Sequence, residues 1–91
     1  MYPTRHMRLL RLKHGISLVD LAKAARVTPQ RISQIELSAE PATPYHRELI
    51  AEAFAIIAEE RGKEGRALRR DLSRLEYSLL DFTEEDISDE L

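Results

Sequence analysis

The sequence predicts an all-α fold, a bundle of about five helices followed by an acidic tail, and three observations predict it. Apolar residues recur at helical spacing with no strand-period alternation. Thr28-Pro29 and Thr43-Pro44 each place a capping hydroxyl before a proline at the first helical position. Gly15, the Glu40–Pro44 segment, Gly62 and Gly65 supply breaks at helix-length intervals. The helices so defined lie near residues 4–13, 18–25, 29–37, 44–61 and 64–81.

The first, TRHMRLLRLK, ends at Gly15. The second opens on Ser17 with Asp20 three residues on, a capping pair, and buries a stripe of Leu21, Ala22 and Ala25. Val27 occupies the turn, Thr28 and Pro29 start the third helix, and Ile32 and Ile35 form its buried stripe, leaving its other face polar. Two short helices joined this tightly make a helix-turn-helix, so double-stranded DNA is the first partner to consider. The fourth helix follows the second Thr-Pro signal. In the fifth, Leu68, Leu72, Leu75, Leu79 and Phe82 recur with gaps of four, three, four and three. That stripe of about two heptads is too short for a free coiled coil but sufficient to pack on a prepared surface.

Composition removes other classes. Ninety-one residues hold one small domain plus an appendage, and the absence of cysteine rules out disulfides and thiolate metal sites. His6, His14 and His46 are scattered, with no ligand spacing, so neither a metal nor a cofactor is expected. No Gly-rich phosphate loop and no nucleophile paired with a base is present, and no catalytic residue is assigned. The acidic end, DFTEEDISDEL, lacks the order of a calcium loop. No apolar run reaches membrane-spanning length and the N-terminus lacks a signal-peptide core, so a cytoplasmic protein is expected. The net charge of −2 hides an asymmetry, with +5 over residues 1–37 and −6 over residues 81–91. The positive potential sits with the helix-turn-helix, where phosphate attraction is needed.

Met7-Arg8-Leu9-Leu10-Arg11, Gly15-Ile16-Ser17, Leu21-Ala22, Val27-Thr28 and Ile32-Ser33-Gln34-Ile35-Glu36 together resemble the phage-repressor type (Cro/C1, XRE-like) helix-turn-helix domain, over roughly residues 5–58. The resemblance implies a compact repressor-like bundle of about five helices, the third entering the major groove and the second lying across the backbone. It implies that Arg11 and Glu36 form a structural pair that sets how the third helix projects. Base reading then falls to Pro29, Gln30, Arg31, Ser33 and Gln34. The amides of Gln30 and Gln34, four residues apart, suit adenine, and Arg31 suits a guanine edge or a phosphate. Thr28 and the helix start at Pro44 and Tyr45 suit phosphate oxygens. Three positions depart from the family pattern: Arg26 where the turn usually has glycine, Leu18 where a glutamine often holds a phosphate, and Ser38 where a glycine usually follows the glutamate. Arg26 is therefore expected to accept a left-handed conformation.

A second apolar surface is also legible. Leu9 and Leu12 lie opposite Met7 and Leu10 on the first helix, and Leu18 and Val19 take positions the family keeps polar. The stripe of Leu68, Leu72, Leu75 and Leu79 is expected to dock there, within its own chain or across a homodimer. The chain thus divides into a DNA-binding domain (4–61), an amphipathic C-terminal helix for packing or dimerisation (62–82) and an acidic tail (83–91). The leading expectation is a sequence-specific transcriptional regulator, a small repressor that binds a palindromic operator as a homodimer. The alternative is an antitoxin-like interaction module whose C-terminal helix and tail bind a partner protein.

Overall fold

The computed structural model describes residues 4–37, 43–75 and 78–83. Within them the chain forms strand β1 (Thr4–Arg5), helices α1 (His6–Lys13), α2 (Leu18–Ala25), α3 (Pro29–Leu37) and α4 (Pro44–Arg61), a 3-10 turn (Gly62–Gly65), a shorter helix α5 (Arg66–Leu75) and strand β2 (Phe82–Thr83). The architecture is all-α apart from this short strand pair. Ser38 and the acidic stretch from residue 84, both singled out in the sequence, lie outside the described residues.

Helices α2, α3 and α4 keep their expected bounds because their start signals act as read. The hydroxyl of Ser17 accepts from the Asp20 N–H at 3.0 Å, that of Thr28 from Arg31 at 3.2 Å, and that of Thr43 from His46 at 3.1 Å. Each satisfies one of the four N–H groups that a helix start leaves without an internal partner. At the far end of α2, Arg26 takes φ 61° and ψ 39°, the left-handed conformation expected of it. Its amide and that of Val27 close onto the Lys23 and Ala22 carbonyls, at 3.3 and 3.0 Å, the pattern glycine usually fills.

The core joins every helix. Met7 of α1, Leu21 of α2, Ile32 of α3, Ile50 and Phe54 of α4 and Leu68 of α5 have no solvent exposure and belong to one contiguous apolar cluster. α4 packs against both α2 and α5. The reversal from α4 into α5 depends on Gly65, where a Cβ would overlap the Ala58 carbonyl. The C-terminus of α1 is tied down by polar contacts. Arg61 Nη1 donates to the His14 carbonyl at 2.6 Å, while the Asp71 carboxylate of α5 accepts from His14 Nε2 at 2.8 Å and from Lys13 Nζ at 2.9 Å. These two donors hold the Asp71 carboxyl below the usual carboxylate range, against a smaller opposing effect of burial.

The ends of the chain correct the sequence reading in two places. The first helix begins at His6 rather than residue 4, because Thr4 and Arg5 pair antiparallel with Thr83 and Phe82. The last helix stops at Leu75 rather than residue 81. Ser78 Oγ donates to the Leu75 carbonyl, and the Asp81 amide turns back to Ser78 at 2.9 Å. The reason lies at the start of α1. Arg5 stands at its N-cap with no side-chain cap bond, and its first turn carries no acidic residue. The His6 and Met7 amides are satisfied instead by the Asp81 and Leu79 carbonyls, at 3.0 and 2.9 Å. A helix continued to residue 81 would direct those carbonyls along its own axis.

Arg5 completes this closure. It is buried, donates from Nη1 to the Leu80 carbonyl, and lies over the Phe82 ring at 4.5 Å. Burial lowers its pKa, with the Asp81 carboxylate opposing that shift. The leucine stripe is accordingly split. Leu68 and Leu79 are fully buried and Leu72 and Leu75 half-buried in the core of their own chain, whereas Phe82 leaves the helical register and is 45% exposed. Of the surface expected beneath that stripe, Leu9, Leu12 and Leu18 are half-buried, but Val19 stands 61% exposed. α5 lies on α4 and α1, so its cover stops short of Val19. Leu68, Leu79 and Leu80 thus belong to the same core as the helix-turn-helix, with Leu72 and Leu75 packed against it.

Candidate nucleic-acid interface

α3 has one face locked and one face open. Ile32, Ile35 and Glu36 point inward and are buried, while Pro29, Gln30, Arg31 and Gln34 are exposed and Ser33 is half-buried between the two sets. Gln30 and Gln34 are one turn apart on the open face, as their spacing implied. Thr28 is exposed at the helix start. Its oxygen accepts from the Arg31 amide, which leaves the hydroxyl hydrogen free to donate to an anion.

The orientation of α3 is set from behind by an ion pair. Arg11 Nη2 and Nε approach the two oxygens of Glu36 at 2.8 and 3.0 Å, a bidentate fork, and Arg11 Nη1 donates to the Ile16 carbonyl at 3.1 Å. Both side chains are nearly excluded from water, and Arg8 Nε stands 3.6 Å from the same carboxylate. Planar matching of guanidinium and carboxylate fixes angle as well as distance. The end of α3 is thereby tied to α1, whose own start is held by the chain end. The pair is neutral as a unit, so the positive balance of this region is carried by the other basic residues.

The start of α4 is joined to this face of α3 through Arg31. Tyr45 is 65% exposed. Its ring lies 5.8 Å from that of His46, tilted by 58°. His46, half-buried and fixed through its amide to Thr43, accepts from Arg31 Nη2 at 3.2 Å. Thr28, Arg31 and His46 are therefore linked by hydrogen bonds across α3 and α4, beside Tyr45. The sequence made Thr28, Arg31 and Tyr45 candidates for DNA contact and assigned no such place to His46. Its position three residues after Thr43, in the first turn of a helix following the recognition segment, was the one signal available.

A family model described as helix-turn-helix, of the Cro/C1 and XRE-like type, matches residues 7–56, more than half of the chain. The chain belongs to the Cro/C1-type helix-turn-helix family. The matched span runs from the start of α1 through most of α4 and contains Thr28, Pro29, Gln30, Arg31, Ser33, Gln34, Tyr45 and the Arg11–Glu36 pair. This family is one of DNA-binding regulatory domains rather than of enzymes, and the Cro/C1-type chain is a DNA-binding regulator of that type. No curated protein and no solved structure matches it significantly. Among the described residues of this Cro/C1-type chain, no helix is long and apolar enough to cross a membrane.

The second group of predicted residues is less concentrated. Leu68 and Leu79 are consumed by the internal core, and the solvent-accessible remainder of the apolar surface consists of Val19 and the half-buried Leu9, Leu12, Leu18, Leu72 and Leu75.

Proposed function

We propose that this chain is a sequence-specific transcriptional regulator, a small cytoplasmic repressor that binds a palindromic operator as a homodimer and reads bases with α3. The observation that carries the reading is the contrast across that helix. Gln30, Arg31 and Gln34 are open to solvent, while Ile32, Ile35 and Glu36 hold the opposite face in the core. A rigid helix presenting two amides and a guanidinium offers the donor and acceptor pairs that distinguish adenine and guanine in the major groove. Thr28 and the start of α4 at Tyr45 flank it with groups suited to phosphate.

Dimerisation follows from the size of the reading surface. One helix contacts a few base pairs, each worth about 1–3 kcal/mol of discrimination, too little to select one site among a genome of competitors. Two half-sites about one helical turn apart supply the rest. The partly exposed Leu9, Leu12, Leu72 and Leu75, with Val19, are the apolar contacts proposed to join the two copies.

The test is selection from randomised DNA, followed by anisotropy titration of the enriched site across salt, with wild type beside Gln30→Ala/Gln34→Ala. A palindromic consensus bound by two chains, whose preference the double variant loses, supports the reading. Binding that fades with salt, ignores sequence and is unchanged in the variant overturns it.

A further inference from the structure

We propose that His46 is a positioning residue for sequence reading: by accepting from Arg31 it holds that guanidinium in the conformation that contacts a guanine edge. The inference rests on the functional reading above and assigns a part to a residue outside α3.

The geometry begins with the direction of the bond. Arginine has no acceptor, so in the 3.2 Å contact between Arg31 Nη2 and His46 Nε2 the arginine donates and the imidazole accepts. As a hydrogen bond, this contact uses the Nε2 lone pair of the ring. The two partners differ in freedom. Arg31 is exposed at the start of α3 on a long flexible stem, whereas His46 is half-buried in the first turn of α4. The His46 amide is bound to Thr43 Oγ1 and its ring lies against Tyr45. The rigid member orders the flexible one.

The consequence concerns recognition more than folding. Arginine carries five N–H donors, and one given to His46 leaves the others for the groove. Bidentate contact with guanine O6 and N7 needs the guanidinium plane to be aligned as well as near. Holding that plane before binding removes part of the ordering cost of a rotamer-rich side chain, corresponding to about two- to ten-fold in affinity for the correct base. A phosphate, whose oxygens accept from many directions, gains less from such alignment. The contact joins two exposed ends of separate helices, so its loss leaves the core untouched.

The experiment uses the full chain and DNA duplexes built on the selected operator, with the base pair facing Arg31 varied. That pair is identified as the one whose preference Arg31→Ala removes. Affinities for the preferred and substituted duplexes are measured for wild type, His46→Ala, His46→Gln, Arg31→Ala and Arg31→Ala/His46→Ala, with melting temperature as a fold control. The expected result is that His46→Ala lowers discrimination at that one pair by about two- to ten-fold. His46→Gln, which keeps an acceptor, should restore part of it, and His46→Ala should have no further effect once Arg31 is alanine. An unchanged discrimination ratio in His46→Ala overturns the inference. A uniform loss of affinity for both duplexes does so too, since it marks Arg31 or His46 as a phosphate contact. If wild type selects no sequence at all, the functional reading fails first and this inference with it; if wild type selects an operator but His46→Ala reads it unaltered, only this inference fails.

Discussion

Removing the Arg11–Glu36 pair by halves, and then together, is the sharpest probe of how α3 is held. Both side chains are buried and joined by two hydrogen bonds, of 2.8 and 3.0 Å. Arg11→Met removes both bonds and leaves the Glu36 carboxylate facing Arg8 Nε at 3.6 Å, beyond hydrogen-bond range. A buried charge stripped of every partner destabilises by about 3–5 kcal/mol, and the remaining ion pair with Arg8 places Arg11→Met at the lower end of that range. Glu36→Gln should cost less, about 1–3 kcal/mol, because the amide oxygen still accepts one bond and Arg11 Nη1 keeps the Ile16 carbonyl. The double variant Arg11→Met/Glu36→Leu removes both desolvated charges and should return close to wild-type stability or above it. The assay is urea unfolding followed by far-UV circular dichroism, with DNA affinity measured where all variants are folded. The apolar double variant should be stable yet bind operator more weakly, since packing alone does not fix the angle of α3 as a bidentate fork does. Single substitutions costing below about 1 kcal/mol would refute the reasoning, placing the pair in the range of solvated surface bridges.

Three further outcomes follow from the structure. Truncation after Ser78 removes two buried leucines and the carbonyls that satisfy the His6 and Met7 amides; the loss, together roughly 5–8 kcal/mol, matches the whole stability of many small domains, so circular dichroism should show a largely unfolded chain. Arg26→Gly relieves a left-handed non-glycine residue at φ 61° and should raise stability by about 0.5–1 kcal/mol, read as a higher urea midpoint at unchanged slope. Asp71→Asn should destabilise by about 1 kcal/mol at neutral pH. Because Asp71 has a depressed folded-state pKa, the unfolded chain takes up its proton more readily. Its contribution is therefore present above about pH 4 and lost as pH falls through the lower folded value, so pH-dependent melting curves of wild type and variant should converge in acid.

The middle of the chain was legible because its signals are local. Ser17, Thr28 and Thr43 each bind a backbone amide three residues away, Pro29 and Pro44 fix the first helical dihedral, and the apolar stripes need no knowledge of the partner surface. The Arg11–Glu36 contact spans 25 residues and was reached through family resemblance alone. The chain ends were misread because their determinant is distant. Leu68, Leu72, Leu75 and Leu79 satisfy a helical repeat, yet Leu79 reaches the core from a turn, and a spacing of four cannot separate the two geometries. What ends α5 is a demand 70 residues away, two amides at the start of α1 without a capping side chain. The missing cap before His6 was the only trace of it. The Arg31–His46 contact was likewise invisible, because it depends on the crossing of α3 and α4 and not on either helix.

The pairing of Thr4 and Arg5 with Thr83 and Phe82 also bears on the order of events during synthesis. A ribosome delivers α1 first and its closing strand nearly 80 residues later, so the recognition unit emerges complete in sequence but without the carbonyls that fix its first helix. Closing a loop of that length carries an entropic penalty that no local contact offsets. The Leu79 and Asp81 carbonyls that satisfy the first amides of α1 are therefore among the last parts of the described fold to be synthesised.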